Sequence, residues 1–180
     1  MPRCCVLCGA RAAGSELCAG CLEDLPWLAH CCPSCAIPLP SNERCSACQP
    51  RTASTGNMLA ALAYEYPVDR LVVALKYQQQ QALAPLLGEL LAIRVLTTNL
   101  EVPECAQVVP VPLHPGRYRQ RGFNQAELIA TAACQKLVSE CIGESGLTLN
   151  HDCLQRARPT RSPPSPWTRR TRISTDGSRP

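Results

Sequence analysis

The chain has 180 residues and 19.5 kDa, with 46% hydrophobic and 18% charged side chains, room for one ordinary domain plus a small module. No apolar run reaches the ~18 residues of a membrane span. The start of the chain carries cysteine and arginine where a secretory leader would be apolar, so a cytoplasmic protein is expected. The net charge of +4 is uneven: from Arg156 onward there are seven Arg and one Asp, whereas the preceding 155 residues hold 11 basic and 13 acidic side chains. A basic-surface argument for nucleic-acid binding by the whole body therefore fails.

Cysteine is the strongest signal. Ten of the 14 cysteines lie in the first 48 residues, in four Cys-x-x-Cys pairs: Cys5/Cys8, Cys18/Cys21, Cys32/Cys35 and Cys45/Cys48. The second set repeats the first at a constant offset, Cys5 recurring as Cys32 and Cys18 as Cys45, and even Cys4 recurs as Cys31. A Cys-x-x-Cys turn puts two sulfurs on one side of a tight knuckle, and two knuckles supply the four thiolates of a closed structural zinc site. No His lies inside either unit, and a catalytic zinc would keep an open position. Two structural zinc ions are expected, with disulfides or an iron–sulfur cluster as alternatives. Pairing within each unit gives a double zinc ribbon; cross-bracing between alternate knuckles is the other arrangement. Cys4 and Cys31 are read as bystanders. A module this small owes its folding free energy to metal, so it is expected to fold alone. Two tetrathiolate zinc centres also carry net negative charge, which weakens a reading of the ribbons as a DNA-phosphate clamp.

Gln49 to Asn57 reads as a linker. Met58 to Tyr66 is expected to be a strand, and Val68 to Tyr77 a helix opened by Pro67. Gln78 to Gln81 is read as a solvated turn. Ala82 to Leu96 is a leucine-rich helix, with Pro85 tolerable only near its start. Gln107 to Val111 suggests a short buried parallel strand, shortened or pushed to an edge by Pro110. Asn124 to Val138 returns to helical spacing, with Ala126, Ile129, Ala130, Ala133 and Leu137 on one side. Strand alternating with helix argues for an α/β domain with partly parallel pairing.

Leu113 to Gln125 is read as a loop between a strand's carboxyl end and a helix start, where open α/β sheets bind anions. Arg117, Arg119 and Arg121 bring positive charge, Gly116 and Gly122 allow close backbone approach, and Asn124 can cap the helix. These residues suit a phosphate or pyrophosphate. The plainer alternative is a solvated basic loop with an ordinary Asn cap.

The run Val108 to His114, followed by Arg-Gly-Phe-Asn-Gln at 121–125, resembles the ComF/GntX family, a branch of type I phosphoribosyltransferase-like proteins linked to competence and use of external DNA. The double ribbon, Ala-Leu-Lys-Tyr at 74–77 and Leu154 to Thr160 are similar to that family too. The resemblance spans roughly residues 4 to 160. It implies an incomplete Rossmann-like parallel sheet, with Arg117, Arg119, Arg121, Gly122, Asn124 and Gln125 on the pyrophosphate side and Lys76 adding charge. It also implies phosphoribosyl pyrophosphate, or another phosphorylated small molecule, as ligand, with magnesium accompanying it in a complete copy. The family's Asp-Asp and Thr-Thr-Gly segment, which holds ribose and 5′-phosphate, does not occur in this sequence.

The expected organisation is a double zinc ribbon at 1–50, a phosphoribosyltransferase-like part at 51–158 and a disordered basic tail at 159–180, rich in Pro, Arg and Thr. A truncated or frameshifted frame after about residue 161 accounts for the change of composition, and an inactive copy is expected. The rival function is a non-catalytic zinc-ribbon module that binds single-stranded DNA or a protein of the competence machinery. Scarce aromatics, 4% of the chain, count against it.

Overall fold

The computed structural model describes residues 3–12, 16–49, 57–98, 103, 105–140 and 147–157. The tail expected to be disordered and most of the expected linker lie outside these residues.

The N-terminal repeat in sequence is a repeat in backbone geometry. Strands β1 (Arg3–Cys4) and β2 (Arg11–Ala12) pair antiparallel around the first knuckle, with Cys4 opposite Arg11. In the second unit the bridge Cys31–Pro38 takes the equivalent place. Cys5 donates its N–H to Ala10 O at 2.7 Å and accepts from Gly9 at 2.9 Å; Cys32 does the same with Ile37 and Ala36 at 2.9 and 2.8 Å. The turn needs a left-handed residue, supplied by Gly9 at φ 75° and by Ala36 at φ 57°. Ala36 holds that conformation at a cost of roughly 1–2 kcal/mol, which Gly9 avoids.

The repeats diverge beyond the knuckles. Cys18 leads into helix α1 (Ala19–Glu23), and Leu17 and Leu25 beside it are buried. The position equivalent to Leu17 in the second unit is Arg44, which is exposed. The first ribbon therefore has an apolar face to cover. It is covered by helices α2 (Val68–Tyr77) and α3 (Leu83–Thr97): Cys5, Ala12, Leu17 and Leu25 share one core with Leu71, Leu75, Leu83, Leu90 and Phe123. No described residue of the second unit belongs to that core. The second unit is tethered through the main-chain bond from Met58 N–H to Pro33 O at 2.7 Å, and the connection before it through Leu28 N–H to Ala61 O at 3.0 Å.

Those bonds also correct the strand expected at Met58 to Tyr66. The segment lies antiparallel to the inter-ribbon connection but forms a bridge only between Leu62 and Trp27. Tyr64 and Tyr66 point to solvent, so alternation about Glu65 does not reflect a half-buried sheet.

The helix α3 carries apolar residues on more than one face because it is covered on two sides, while Pro85 and Glu89 stay exposed. Pro85 sits in its first turn, where its missing N–H costs nothing. Against its other flank packs α5 (Gln125–Glu140), through Ala92, Ala133 and Leu137. The two helices approach closely at Gly88: a Cβ there would lie 2.6 Å from both Ala132 Cβ and Ile129 O.

Between these helices run β3 (Gln107–Val108), α4 (Pro115–Arg121) and, after α5, β4 (Thr148–Leu149). The strands β3 and β4 pair in parallel, Gln107 opposite Thr148 and Val108 opposite Leu149. This mixed helix and strand arrangement matches the expected parallel pairing, but the described sheet here has two strands. The expected burial of this strand fails: Gln107 and Val111 are exposed, since Pro110 and Pro112 end the ladder and a two-stranded ribbon leaves both edges open.

Candidate metal centres and a candidate anion pocket

The cysteines assemble as two separate fours, Cys5, Cys8, Cys18 and Cys21, and Cys32, Cys35, Cys45 and Cys48, with all sulfurs of a set within 4.8 Å of one another. Pairing is thus within each unit, and the cross-braced alternative is excluded. Cys8 Sγ stands 3.6 Å from Cys18 Sγ, and Cys35 Sγ 3.7 Å from Cys45 Sγ. A tetrahedron with zinc–sulfur bonds of about 2.3 Å has edges of about 3.8 Å, whereas a disulfide needs about 2.05 Å. The described cysteines are all free thiols, and Cys4 and Cys31 stand outside both sets.

The backbone prepares each set for a cation. Burial, the strongest single influence, pushes the Cys5 thiol up, but N–H groups of Cys18, Cys8 and Leu7 outweigh it and bring Cys5 to about 6. At Cys32 the N–H of Cys45, 3.4 Å from the sulfur, leads the N–H groups of Ser34 and Cys35 in lowering the thiol to about 6 against burial. The last cysteine of each set goes the other way. Cys21 is raised by Cys8 and Cys18, and Cys48 to about 12 by Cys45 and Cys35. Clustered thiolates repel, and a divalent cation at their centre removes that penalty. Both donor sets fit structural zinc: four soft ligands each, with no fourth position left for water.

The second assembly forms around α4, which replaces the expected loop. Pro115 at the first helical position and Gly122 in the left-handed cap at φ 82° delimit it, and His114 Nδ1 accepts from Gly116 N–H at 3.2 Å. Proline just inside a start and glycine just past an end were the readable signal for this helix. As a helix, the segment separates its arginines. Arg117 and Arg121, one turn apart, share a face, while Arg119 lies on another.

A pocket of about 170 Å³ is lined by Lys76, Arg117, Arg121, Gln125, His114 and Arg156, together with Tyr77 and Leu113. Arg119 does not line it. Gly122 and Asn124 do not line it either. Asn124 is buried, accepts from Ala126 N–H at 3.1 Å to cap α5, and donates to Val111 O at 3.2 Å, tying the exit from β3 to that cap. Phe123 plugs the turn into the main core. Each residue of the Arg-Gly-Phe-Asn-Gln block thus has a distinct task. Arg121 is held by Gln125 Oε1 and stacks over Tyr77, 5.6 Å from the ring centre.

Sequence reasoning missed Arg156. It arrives from beyond β4 and donates to Pro112 O at 3.3 Å, so the segments leaving the carboxyl ends of both parallel strands meet at this pocket. Among its described lining residues there is no carboxylate. The charge is concentrated enough that burial first, and Arg121 second, lower the Lys76 ammonium below its usual range. Cations gathered around one small pocket favour an anion between them.

His151 pairs with Glu127 at 3.2 Å rather than activating Cys153, and burial raises the Cys134 thiol. No helix among the described residues is long and apolar enough to cross a membrane.

Two tetrathiolate knuckle pairs in tandem repeat define a double-zinc-ribbon protein, and residues 1–49 match the double zinc ribbon domain family. The chain is 32% identical over 111 residues to DNA utilization protein YhgH of Escherichia coli (strain K12), covering 59% of this chain and 46% of that protein. It is 31% identical over 145 residues to its Salmonella typhimurium namesake, covering 76% and 61%. It is 29% identical over 135 residues to Competence protein F of Haemophilus influenzae, covering 70% and 57%. These matches support a ComF family assignment. It spans roughly half the length of the curated relatives it matches, and no solved structure matches it.

Proposed function

We propose that this chain is a DNA-utilisation protein of the competence type whose arginine pocket binds the phosphate or pyrophosphate end of a small molecule, phosphoribosyl pyrophosphate being the form that the family resemblance implies. The observation that carries the proposal is the meeting of Lys76, Arg117, Arg121 and Arg156 in one small pocket, built from segments that leave the carboxyl ends of two parallel strands. The zinc ribbon supports this pocket rather than entering it. Its first unit shares the core in which Leu75, next to Lys76, and Phe123, just beyond Arg121, are anchored.

The reading extends to a phosphoribosyltransferase-like domain, of which the described helices and strand pair form one side. The residues that the family uses for ribose and 5′-phosphate have no counterpart in these 180 residues. On this reading the chain by itself holds the phosphorylated end and does not transfer the phosphoribosyl group. Magnesium would arrive bound to pyrophosphate oxygens. A cytoplasmic site of action, with single-stranded DNA or a protein of the competence machinery as partner, follows from the same proposal.

Calorimetric titration of the zinc-loaded chain with pyrophosphate and with phosphoribosyl pyrophosphate tests it. Arg121→Gln should weaken both at least tenfold, and Arg119→Gln should leave both within twofold. Equal losses in the two variants would show a diffuse basic surface and defeat the pocket.

A further inference from the structure

Arg156 reaches the cationic pocket at the end of a segment that apolar packing does not hold. The five residues before it, His151 to Gln155, are all exposed. They leave β4 through a polar turn. Asn150 donates its N–H to Val108 O at 3.0 Å, just past the paired residues of the two strands. Its side chain accepts from Asp152 N–H at 3.1 Å and donates to Gln107 Oε1 at 3.2 Å. A side-chain turn of this kind sets the direction in which the chain leaves the strand. Inside the turn, His151 Nδ1 stands 3.2 Å from Glu127 Oε1. A carboxylate only accepts, so the ring N–H is the donor.

Glu127 lies in the first turn of α5, two residues beyond Gln125. That turn carries a brace for each side of the pocket. Gln125 Oε1 accepts from Arg121, and Glu127 holds the turn from which Arg156 departs. Braces matter where cations converge, because Lys76, Arg121 and Arg156 repel one another before an anion arrives. An arginine on an exposed segment that is already held in place adds little ordering cost to binding.

We infer that Glu127 and His151 are positioning residues for the anion pocket: their contact pins the turn after β4 to the start of α5 and so keeps Arg156 beside Lys76 and Arg121. Neither residue lines the pocket. The inference rests on the phosphate reading of that pocket and adds the residues that set its affinity from outside.

A simple charge effect has the opposite sign. A carboxylate near a cationic pocket disfavours an anion, so its removal tightens binding if Glu127 acts only through its field. If Glu127 holds Arg156 in place, its removal weakens binding.

The test is calorimetric titration of the full zinc-loaded chain with pyrophosphate. Glu127→Ala and His151→Ala should each weaken binding about two- to fivefold, the most that an exposed pair can contribute. The double variant should lose no more than either single one. Glu127→Gln discards the charge but keeps the accepting oxygen, and should restore nearly the parent affinity. In an Arg156→Gln background, Glu127→Ala should cost nothing further. The side chains of His151 and Glu127 are 45% and 42% exposed, so neither variant should disturb the fold; far-ultraviolet circular dichroism melts of the same samples check this. Unchanged or tighter binding by Glu127→Ala, or a loss that persists in the Arg156→Gln background, would overturn the positioning role, while Arg121-dependent binding would leave the phosphate pocket standing. Failure of the parent chain to bind pyrophosphate would overturn the phosphate reading and this inference together.

Discussion

The two zinc centres have the same ligands and the same knuckle geometry, yet their loss should have unequal consequences. Cys8 and Cys35 occupy equivalent positions in the two units, and both are exposed. Cys8→Ser and Cys35→Ser therefore remove the same thiolate from the same place in each set. A structural zinc contributes about 10–16 kcal/mol to the fold it closes, more than the ~5–15 kcal/mol that stabilises an ordinary domain, so a crippled site opens its own ribbon. In the first ribbon that opening uncovers Leu17 and Leu25, 3% and 4% exposed, from the core they share with α2 and α3. At about 1.5–3 kcal/mol for each buried leucine, the helical core loses about 3–6 kcal/mol. For a chain of this size that is a fall in Tm on the order of 10–20 °C. Opening the second ribbon takes nothing from that core and should shift helix melting by no more than about 3 °C. The assay is far-ultraviolet circular dichroism of the helix signal through a thermal scan, with bound zinc counted on the same samples. Two variants that each lose one zinc and then melt together would refute the shared-core argument.

Two other expectations concern the helices. Gly88→Ala pushes a methyl into Ala132 Cβ and the Ile129 carbonyl at 2.6 Å. Overpacking of about 1–3 kcal/mol should exceed the helix-propensity gain of about 1 kcal/mol, so denaturant unfolding should show net destabilisation; a stabilised variant would mean that α3 and α5 pack elsewhere. Lys76→Met should act in opposite directions on stability and binding. The folded state lowers the Lys76 ammonium through burial and Arg121, so the folded protein holds that proton less tightly than the unfolded chain, and stability should rise as pH rises through the lowered range toward the unfolded value. Removing the charge should raise stability at neutral pH, abolish that part of the alkaline pH dependence, and weaken pyrophosphate binding. Denaturant melts at neutral and alkaline pH, with a pyrophosphate titration, check all three; a destabilised variant with unaltered binding would place Lys76 outside the pocket.

The two cysteine clusters were legible in the sequence residue by residue, because a Cys-x-x-Cys knuckle is a local object: it closes its own turn and aims its own sulfurs. The three long helices were legible for the same reason, with ends close to those expected, and so was the parallel strand after Ala106. Local information also marks both ends of α4, at Pro115 and Gly122. What pairing the knuckles adopt depends on contacts between separate knuckles, and only the folded chain excluded cross-bracing. Arg156 joined Lys76, Arg117 and Arg121 through a bond to Pro112 O, far back along the chain, and no periodicity carries such information. Arg119 looked equal to its neighbours until a helix turned it away. The residues by themselves determined which groups could bind metal or anion. Tertiary structure decided which stand together, because convergence of like charges opposes their repulsion and is achieved only when packing elsewhere, at Phe123 and Leu75, holds the elements that carry them.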